Sequence, residues 1–506
     1  MKKIIRLIYT VLSGCLLTGL NTSCELVSEN YGEINTSIFP KTEADADAIV
    51  TSAAYSPFKN HFYGGIFNVA TGILIVSDEA SDYGMCNWGW DHINYANWTI
   101  NDTWLTTEHY GYANNISKMT LTIDRLNQID MDETLKQQYI AECRLGRGWL
   151  AFLLYDFYGP IVIADLETLK NPIEEKILPR LSEEEMKTYI ETELTEASKV
   201  LPANYFKGDS NYGRFTAGLA HTLLLKFYML TRQWDKAEAE GRELMKQEYG
   251  YELVPEYEDI FTLANEKNAE IIWACQCAKG YQEHKWQPHV LPTDYNFTDY
   301  LDRMTKWNGY KISWDFMATF DPADKRLETI ASEYTSKEGV VHNEANDRPD
   351  PSAQLYYGAV PLKYEFDPDC TGEDSQIDWI IYRYADVLTL TAEAIVRNGN
   401  AVTQEAVDLL NKVRTRSLPG KGYSLNDLNT TDKFLDAVLD ERGWELYFEG
   451  HRRQDLIRHG KYIEAIKQKA QSMGKQTLVD ENRYRFPIPQ TVINEGKGII
   501  EQNPGY

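Results

Sequence analysis

Apolar residues recur every three to four positions over long stretches of this chain, the period that places them on one face of an α-helix. The pattern predicts ten helices, at residues 44–55, 112–129, 133–157, 182–201, 214–231, 235–247, 378–397, 403–417, 432–448 and 454–471. The fold class expected from this pattern is therefore mainly α.

Residues 214–247 have the spacing of a tetratricopeptide unit, in which two antiparallel helices pack as a pair. Small residues such as Ala217 and Ala237 would let the two helices approach, and Tyr228 and Trp234 would fill the gap to the next pair. Other helical pairs are too degenerate to identify by this pattern alone; the predicted helical stretches as a whole cover about 42–250 and 378–471.

Two stretches lack the helical period, residues 77–104 and about 251–377, where Pro, Gly, Asn, Asp and aromatic residues accumulate. Residues 270–275 form a short apolar run that predicts a strand. Long irregular segments in a compact domain are usually functional, so a ligand is expected there. After the last helix, Pro487 and Pro489 favour an extended tail at 472–506.

The beginning of the chain has the form of a secretory signal, in which Lys2 and Lys3 precede an apolar run at residues 7–20. Residues 1–23 are expected to be removed, and Cys24 is expected to be the lipidated first residue of a single domain, 24–506. Processing at Cys15 would fit the preceding residues better but would leave too short an apolar run. A soluble secreted protein with a plain signal peptide is the alternative.

The chain is strongly acidic, with a formal net charge of −25. Removal of residues 1–23, which carry three basic residues, would make the charge −28. Such a charge argues against nucleic acid as a partner and against attraction to anionic lipid. No second apolar stretch is long enough to span a bilayer, so membrane attachment is expected through lipid.

Metal and cofactor motifs are missing from the sequence. The nine histidines are scattered, and no zinc-protease, serine-hydrolase or phosphate-loop pattern is present. We expect no metal site and no cofactor, although a bound cation stays possible in so acidic a chain. Five cysteines follow Cys24, an odd number, so at least one should be unpaired: Cys86, Cys143, Cys275, Cys277 and Cys370.

Three glutamates, Glu441, Glu445 and Glu449, fall four residues apart on one predicted helical face. Like charges at this spacing repel by roughly 0.2–0.5 kcal/mol per pair. Four arginines lie nearby in sequence: Arg442, Arg452, Arg453 and Arg458. We expect an ion-pair network that ties two helices together, and we favour it over general acid–base catalysis because guanidinium partners are so close.

An ordered set of motifs resembles the SusD/RagB family of bacterial surface glycan-binding lipoproteins. The family's closing signature is similar to Glu441-Arg-Gly-Trp-Glu-Leu-Tyr-Phe-Glu-Gly450, to Phe486-Pro-Ile-Pro-Gln490 and to Gln502-Asn-Pro-Gly-Tyr506. Further similar segments lie at 39–55, 141–160, 321–326, 381–394 and 411–416. The chain departs from the family pattern at Gly443-Trp444 and at Arg452-Arg453-Gln454, positions that concern packing more than ligand choice.

The resemblance implies an irregular tetratricopeptide-like scaffold with a loop-rich insertion and small β elements. It further implies a non-catalytic lipoprotein on the outer membrane of the cell, exposed at the surface. Such a protein would bind an oligosaccharide or polysaccharide and deliver it to a SusC-like TonB-dependent transporter for nutrient uptake. On this reading the chain has no catalytic residue.

A glycan presents apolar C–H faces and many hydroxyls, so exposed rings beside polar side chains are suited to bind it. In the first irregular stretch the candidates are Trp88, Trp90, Trp98, Asn97 and Asp82. In the second they are Trp286, Tyr295, Trp307 and Tyr310. Each ring could instead belong to the core.

Two other functions stay open on sequence grounds. A secreted all-α glycoside hydrolase needs two carboxylates, and 76 acidic residues guarantee a suitable pair somewhere. A peptide-binding surface lipoprotein could use the same scaffold.

Overall fold

Helices alternate with loops in the first half of the chain in the computed structural model, which describes residues 39–61, 64–102, 104–174, 176–295, 303–370 and 372–506. The predicted signal peptide and Cys24 lie outside this part. The helices are α1 (Glu43–Val50), α2 (Ile73–Glu79), α3 (Asp91–Asn94), α4 (His109–Gly111), α5 (Asn114–Leu126), α6 (Glu133–Tyr158), α7 (Leu166–Lys170), α8 (Glu183–Ser198), α9 (Ala217–Thr231) and α10 (Trp234–Leu244).

The second half contains shorter helices before residue 384 and longer ones after it. They are α11 (Trp286–Val290), α12 (Trp314–Met317), α13 (Glu344–Asp347), α14 (Tyr384–Gly399), α15 (Gln404–Ser417), α16 (Thr431–Glu445), α17 (Arg452–Arg458), α18 (Tyr462–Ser472) and α19 (Gln490–Glu495). The mainly α fold class is confirmed, since sheets are small and few among the described residues.

Hydroxyl and carboxylate side chains start many of these helices. Thr42 and Asp45 form a capping box at α1, with hydrogen bonds of 3.2 and 3.0 Å, and Ser182 and Glu185 form another at α8. Such caps satisfy backbone N–H groups that have no partner inside the helix. The sequence boundaries therefore agree with the structure to within a few residues at most helices.

One predicted helix is in fact two. The prediction of a single helix at 454–471 is wrong, because α17 ends at Arg458 and α18 begins at Tyr462. Gly460 between them has φ +67°, a left-handed conformation that ends an α-helix. The predicted extended tail also differs from the structure, since it contains α19, although residues 485–489 lie outside any helix.

The long helices pack in a continuous stack in which α5 contacts α6, α6 contacts α8, α8 contacts α9 and α9 contacts α10. The stack then continues from α10 directly to α14, and from α14 to α15 and α16. Residues 245–383 thus leave the stack after α10 and return to it at α14. The insertion is the loop-rich region that the sequence predicted.

Small antiparallel sheets form within the loop-rich region and join it to other parts of the chain. The strands are β1 (Gly84–Cys86), β2 (Ile271–Cys275), β3 (Tyr310–Ser313), β4 (Ile330–Ala331), β5 (Glu333–Thr335), β6 (Val341–Asn343), β7 (Gly358–Pro361) and β8 (Trp379–Arg383). One sheet has the order β1-β3-β7-β4, and β2 pairs with β8 and β5 with β6. The strand predicted at 270–275 is confirmed as β2.

The three glutamates of the closing signature are buried in an ion-pair cluster, which we call the glutamate cage. Arg326 Nη1 lies 2.6 Å from Glu441 and 3.0 Å from Glu445, and Arg383 lies 2.6 Å from Glu445 and 2.7 Å from Glu449. The predicted network exists, but its arginines come from the loop-rich region, from β8 and, as Arg414 and Arg416, from α15. The cage therefore ties the insertion to α16.

The arginines that lie near the glutamates in sequence pair with other carboxylates. Arg442 contacts Asp386 at 2.7 Å, and Arg458 contacts Glu393 at 2.7 Å. The neighbours of a charged residue in sequence thus do not identify its partner, because side chains close in sequence can face different neighbouring elements. Among the residues that the structure describes, no helix combines the length and apolar character needed to cross a membrane.

Candidate functional site

Four of the nine candidate residues come together on one face of the loop-rich region. The ring centroid of Trp88 lies 6.1 Å from that of Trp90 and 5.3 Å from that of Tyr310. Trp88 Nε1 donates a hydrogen bond of 2.8 Å to the carbonyl of Trp307. We call Trp88, Trp90 and Trp307 the aromatic platform.

Pairing of β1 with β3 brings the two irregular stretches of the sequence together. Cys86 lies opposite Tyr310 in this antiparallel pair, and Asn87 N donates to Gly309 O at 3.1 Å just beyond it. Trp307 N donates to Pro288 O at 2.7 Å, which attaches the second loop to α11. The platform is therefore built from two loops that a short sheet holds side by side.

Gly309 makes room for the Trp88 ring. A Cβ atom at this position would lie 2.3 Å from Trp88 Cζ2 and 2.7 Å from His289 O, closer than atoms can approach. The indole therefore lies close against the backbone of the second loop, and a side chain at Gly309 would displace it.

The platform rings stand at steep angles to the ring beneath them. Trp88 is inclined by 57° and Trp90 by 58° to the ring of Tyr310, and the two indoles are 78° apart. Trp88 is 36% exposed, whereas Trp90 and Trp307 are half-buried. The three indoles thus present surface to solvent over a buried floor.

Tyr310 is that floor and presents no surface of its own. The residue is fully buried, and its hydroxyl donates to Val69 O at 2.9 Å and to Ala70 O at 2.6 Å. The prediction that Tyr310 contacts a ligand is corrected, because its ring supports the platform from below.

The remaining candidates of the first stretch have structural partners. Trp98 is fully buried, and its Nε1 donates to Tyr506 Oη at 2.6 Å. The amide of Asn97 donates to Gln476 O at 2.9 Å and accepts from Leu478 N at 2.7 Å. Both residues therefore hold the end of the chain in place, and we exclude them from the site.

Asp82 also has a structural role, since Arg452 donates to it through Nε at 2.9 Å and Nη2 at 2.7 Å. Such a two-point guanidinium–carboxylate pair holds the carboxylate in one orientation against Arg452. Asp82 is therefore a link between β1 and α17, and its candidate role is corrected.

Two candidates of the second stretch are core residues. Trp286 is buried, with its ring 5.3 Å from Trp379 and 5.4 Å from Phe448. Tyr295 is buried against Tyr334 at 5.0 Å. Neither ring can stack on a sugar in this arrangement, so these two assignments are corrected as well.

Tyr281 is a large exposed ring of the second irregular stretch. It lies in a turn closed by hydrogen bonds between Ala278 and Gln282, and it is 92% exposed. The same loop-rich composition surrounds buried and exposed tyrosines alike, so the sequence offers no signal that separates Tyr281 from Tyr295.

Metal-ligating residues do not cluster in the described part of the chain: no group of three or more His, Cys, Asp or Glu side chains is placed to hold an ion.

The five cysteines in the described part of the chain are free thiols. Burial raises the pKa of the Cys143 thiol, and the charge of Glu142 raises it further. These thiols are therefore not reactive nucleophiles.

Two models of known families match the chain, one described as "SusD family" over residues 325–506 and one as "Starch-binding associating with outer membrane" over residues 30–229. Together they include the first irregular stretch and residues 325–377 of the second, but not residues 230–324, which contain Trp307.

Similar proteins cover between two thirds and nearly all of the chain, and the chain matches 62% of the length of the first of them. A SusD-like protein of Bacteroides ovatus is 24% identical over 67% of this chain and 62% of that protein. SusD-like protein P2 of Formosa agariphila is 23% identical over 96% of this chain and 97% of that protein. Surface glycan-binding protein A from Bacteroides thetaiotaomicron, solved with laminarihexaose, is 20% identical over 92% of this chain and 100% of its own, with a TM-score of 0.72. That likeness shows a shared fold.

Proposed function

Since the chain belongs to the SusD family, we propose that it is a non-catalytic cell-surface lipoprotein that binds an oligosaccharide or polysaccharide. It passes the glycan to a SusC-like TonB-dependent transporter in the outer membrane for nutrient uptake. In this proposal residues 1–23 are a signal peptide, Cys24 carries the lipid, and residues 24–506 form one domain.

The aromatic platform is the observation that carries this proposal. Indole rings offer a large apolar face that can pack on the C–H face of a sugar ring. Trp88 keeps more than a third of its surface exposed although the backbone at Gly309 and the Trp307 carbonyl fix its position. A rigid, exposed indole loses little conformational entropy when it binds a ligand, which favours affinity.

The glutamates of the closing signature support a role without catalysis. Burial alone would raise the pKa of Glu445, but Arg416, Arg383 and Arg326 outweigh it and lower the pKa to about 2. A carboxylate that stays ionised at neutral pH cannot act as the acid of a glycoside hydrolase. Glu441 and Glu445 are also fully buried, out of reach of a polysaccharide.

Similar proteins suggest which class of glycan to test. One model that matches the chain is described as starch-binding, and the glycan-binding protein of Bacteroides thetaiotaomicron was solved with laminarihexaose. We therefore propose a glucan as the first ligand to test.

The test is a binding and turnover measurement with purified protein. Isothermal titration against starch, laminarin and a peptide mixture is combined with an assay for released reducing ends. We expect binding to a polysaccharide without release of reducing ends. Release would show an enzyme, and binding to peptides alone would show a peptide receptor; either result would overturn the proposal.

Two matched tryptophan variants locate the binding site. Trp88→Ala should weaken glycan binding about 2- to 12-fold, the range expected from one aromatic contact of about 0.5–1.5 kcal/mol. Trp234→Ala removes a half-buried indole of α10 that packs on Arg397, 4.9 Å from its guanidinium, and should leave affinity unchanged. Equal affinities of the two variants would show that the platform is not the site.

A further inference from the structure

His289 lies inside the aromatic platform although no side-chain surface of it reaches solvent. Its ring centroid is 4.7 Å from that of Trp307 at an interplanar angle of 83°, and 5.3 Å from that of Trp88 at 63°. The same ring stacks on the floor residue Tyr310 at 5.5 Å and 11°. The imidazole is thus a wedge between two platform indoles.

The wedge is fixed in one orientation. Nδ1 of His289 lies 2.5 Å from the carbonyl oxygen of Lys285, and because a carbonyl can only accept, Nδ1 carries the proton. Burial lowers the pKa of His289 to about 3, so the ring is neutral in any ordinary medium. The carbonyl of His289 in turn accepts from Gly309 N at 2.7 Å, which ties the wedge to the second loop.

The two indoles on either side of the wedge come from distant parts of the chain. Trp88 and Trp307 are 219 residues apart, and they are linked directly by a hydrogen bond from Trp88 Nε1 to the Trp307 carbonyl. That bond fixes one edge of the Trp88 ring but does not set the angle of the Trp307 ring. The edge-to-face contacts of His289, with Trp307 on one side and Trp88 on the other, set the angles of the two rings.

We propose that His289 is a positioning residue for glycan binding: it sets the separation and angle of Trp88 and Trp307 without touching the ligand. The inference rests on the proposed function and deepens it. Without the wedge both indoles gain rotational freedom, which a ligand must then remove on binding. Affinity should therefore depend on a residue that is absent from the binding surface.

His284 provides a matched control. It lies five residues earlier, it is equally buried, and burial lowers its pKa to about 4. Its ring packs on Tyr364 and Trp379 instead, at 5.7 and 5.3 Å. Replacing His284 removes a buried neutral imidazole from the same region and leaves the contacts of the platform indoles with His289 intact.

The experiment compares His289→Ala, His289→Phe and His284→Ala in the full-length protein by glycan titration and thermal unfolding. His289→Ala should weaken binding roughly 5- to 150-fold, the range expected when two side chains must be ordered by the ligand. His289→Phe keeps the ring contacts and should recover most of the affinity. His284→Ala should lower the unfolding temperature without this loss, and equal losses for the two alanine variants would overturn the inference.

A double-mutant cycle tests whether His289 acts through Trp88. In a Trp88→Ala background, His289→Ala should weaken binding much less than it does in the wild type, because the ring that it positions is gone. Full additivity of the two changes would overturn the inference. If His289→Ala does not fold, His289→Gln takes its place, since an amide can still donate to Lys285 O without filling the wedge.

A measurement without glycan separates this inference from the proposed function. The difference between the near-ultraviolet circular dichroism of the wild type and of Trp88→Ala reports the setting of the Trp88 ring. When Trp88→Ala is introduced into the His289→Ala protein, most of this difference should be lost. When it is introduced into the His284→Ala protein, the difference should be retained. A wild type that binds no glycan would overturn the proposed function, while this spectrum would still support or overturn the positioning role.

Discussion

Tryptophans ten residues apart in one irregular stretch have opposite environments. Trp88 is exposed on the platform, whereas Trp98 is buried with its ring centroid 4.5 Å from that of Phe486. We predict that Trp98→Ala lowers the free energy of unfolding by about 3–5 kcal/mol, the usual cost of removing a large buried aromatic side chain. Urea denaturation measures it. Trp88→Ala, the control, should cost less, and equal costs would contradict the assigned burial.

At the same scale, the absence of a side chain at Gly309 shapes the platform. We predict that Gly309→Ala destabilises the fold by about 1–3 kcal/mol and weakens glycan binding, because the added methyl group must push Trp88 away. Gly111→Ala is the control, since a Cβ there meets no atom within 4 Å. Thermal unfolding and glycan titration of both variants check the prediction, and unchanged binding by Gly309→Ala would contradict it.

At the scale of elements, the glutamate cage joins the insertion to the helical stack. Arg383 of β8 pairs with Glu445, Glu449 and Glu270, all of them buried. We predict that Arg383→Met lowers the free energy of unfolding by about 3–5 kcal/mol, because buried carboxylates lose their partner. The measurement is again urea denaturation.

The control for the cage is an exposed ion pair between two helices of the stack. Arg242 of α10 contacts Glu405 of α15 at 2.7 Å, and both side chains are more than 40% exposed. Arg242→Met should cost no more than about 1 kcal/mol, the usual upper value for a surface pair. A similar cost for the two arginine variants would show that the cage does not hold the insertion in place.

At the scale of the whole molecule, buried neutral histidines make the fold sensitive to acid. Burial lowers the pKa of His109 to about 4, while its ring stays hydrogen-bonded to Thr71 O at 2.5 Å. In the unfolded chain the pKa of His109 is the ordinary value of about 6.5. Between this pH and about 4, His109 therefore binds a proton in the unfolded chain but not in the folded one. Stability is therefore lost as pH falls from about 6.5 towards 4, by about 2 kcal/mol at pH 5.

We predict that His109→Gln reduces this loss, because a glutamine amide can donate to Thr71 O but does not titrate. The fall in unfolding temperature between pH 7 and pH 5 should be smaller in the variant than in the wild type. His284 and His289 stay in both proteins, and burial lowers the pKa of each, so some acid sensitivity should persist. Identical pH dependence of the two proteins would contradict the prediction.

The sequence predicts the helices of the stack and both platform loops, because each segment by itself either has the helical period of apolar residues or lacks it. It does not predict which rings are exposed. The burial of Trp98 depends on Tyr506, 408 residues away, and the support of Trp88 depends on Gly309 and His289. Loops have no repeating period, so long-range contacts decide burial there. Partners of the buried arginines are unpredictable for the same reason.

Contacts that join the segment before Trp88 to residues 448–450 have a consequence for biosynthesis. Tyr83 Oη accepts from Phe448 N at 2.8 Å, and Asp78 accepts from Gly450 N at 2.6 Å, contacts that join residues more than 360 positions apart. At about 5–20 residues per second, a ribosome needs roughly 20–70 s to make the intervening chain. During that time Tyr83 and Asp78, which precede Trp88 and Trp90 in the chain, lack these partners. The surroundings of the first platform loop are therefore completed only when most of the chain has been made.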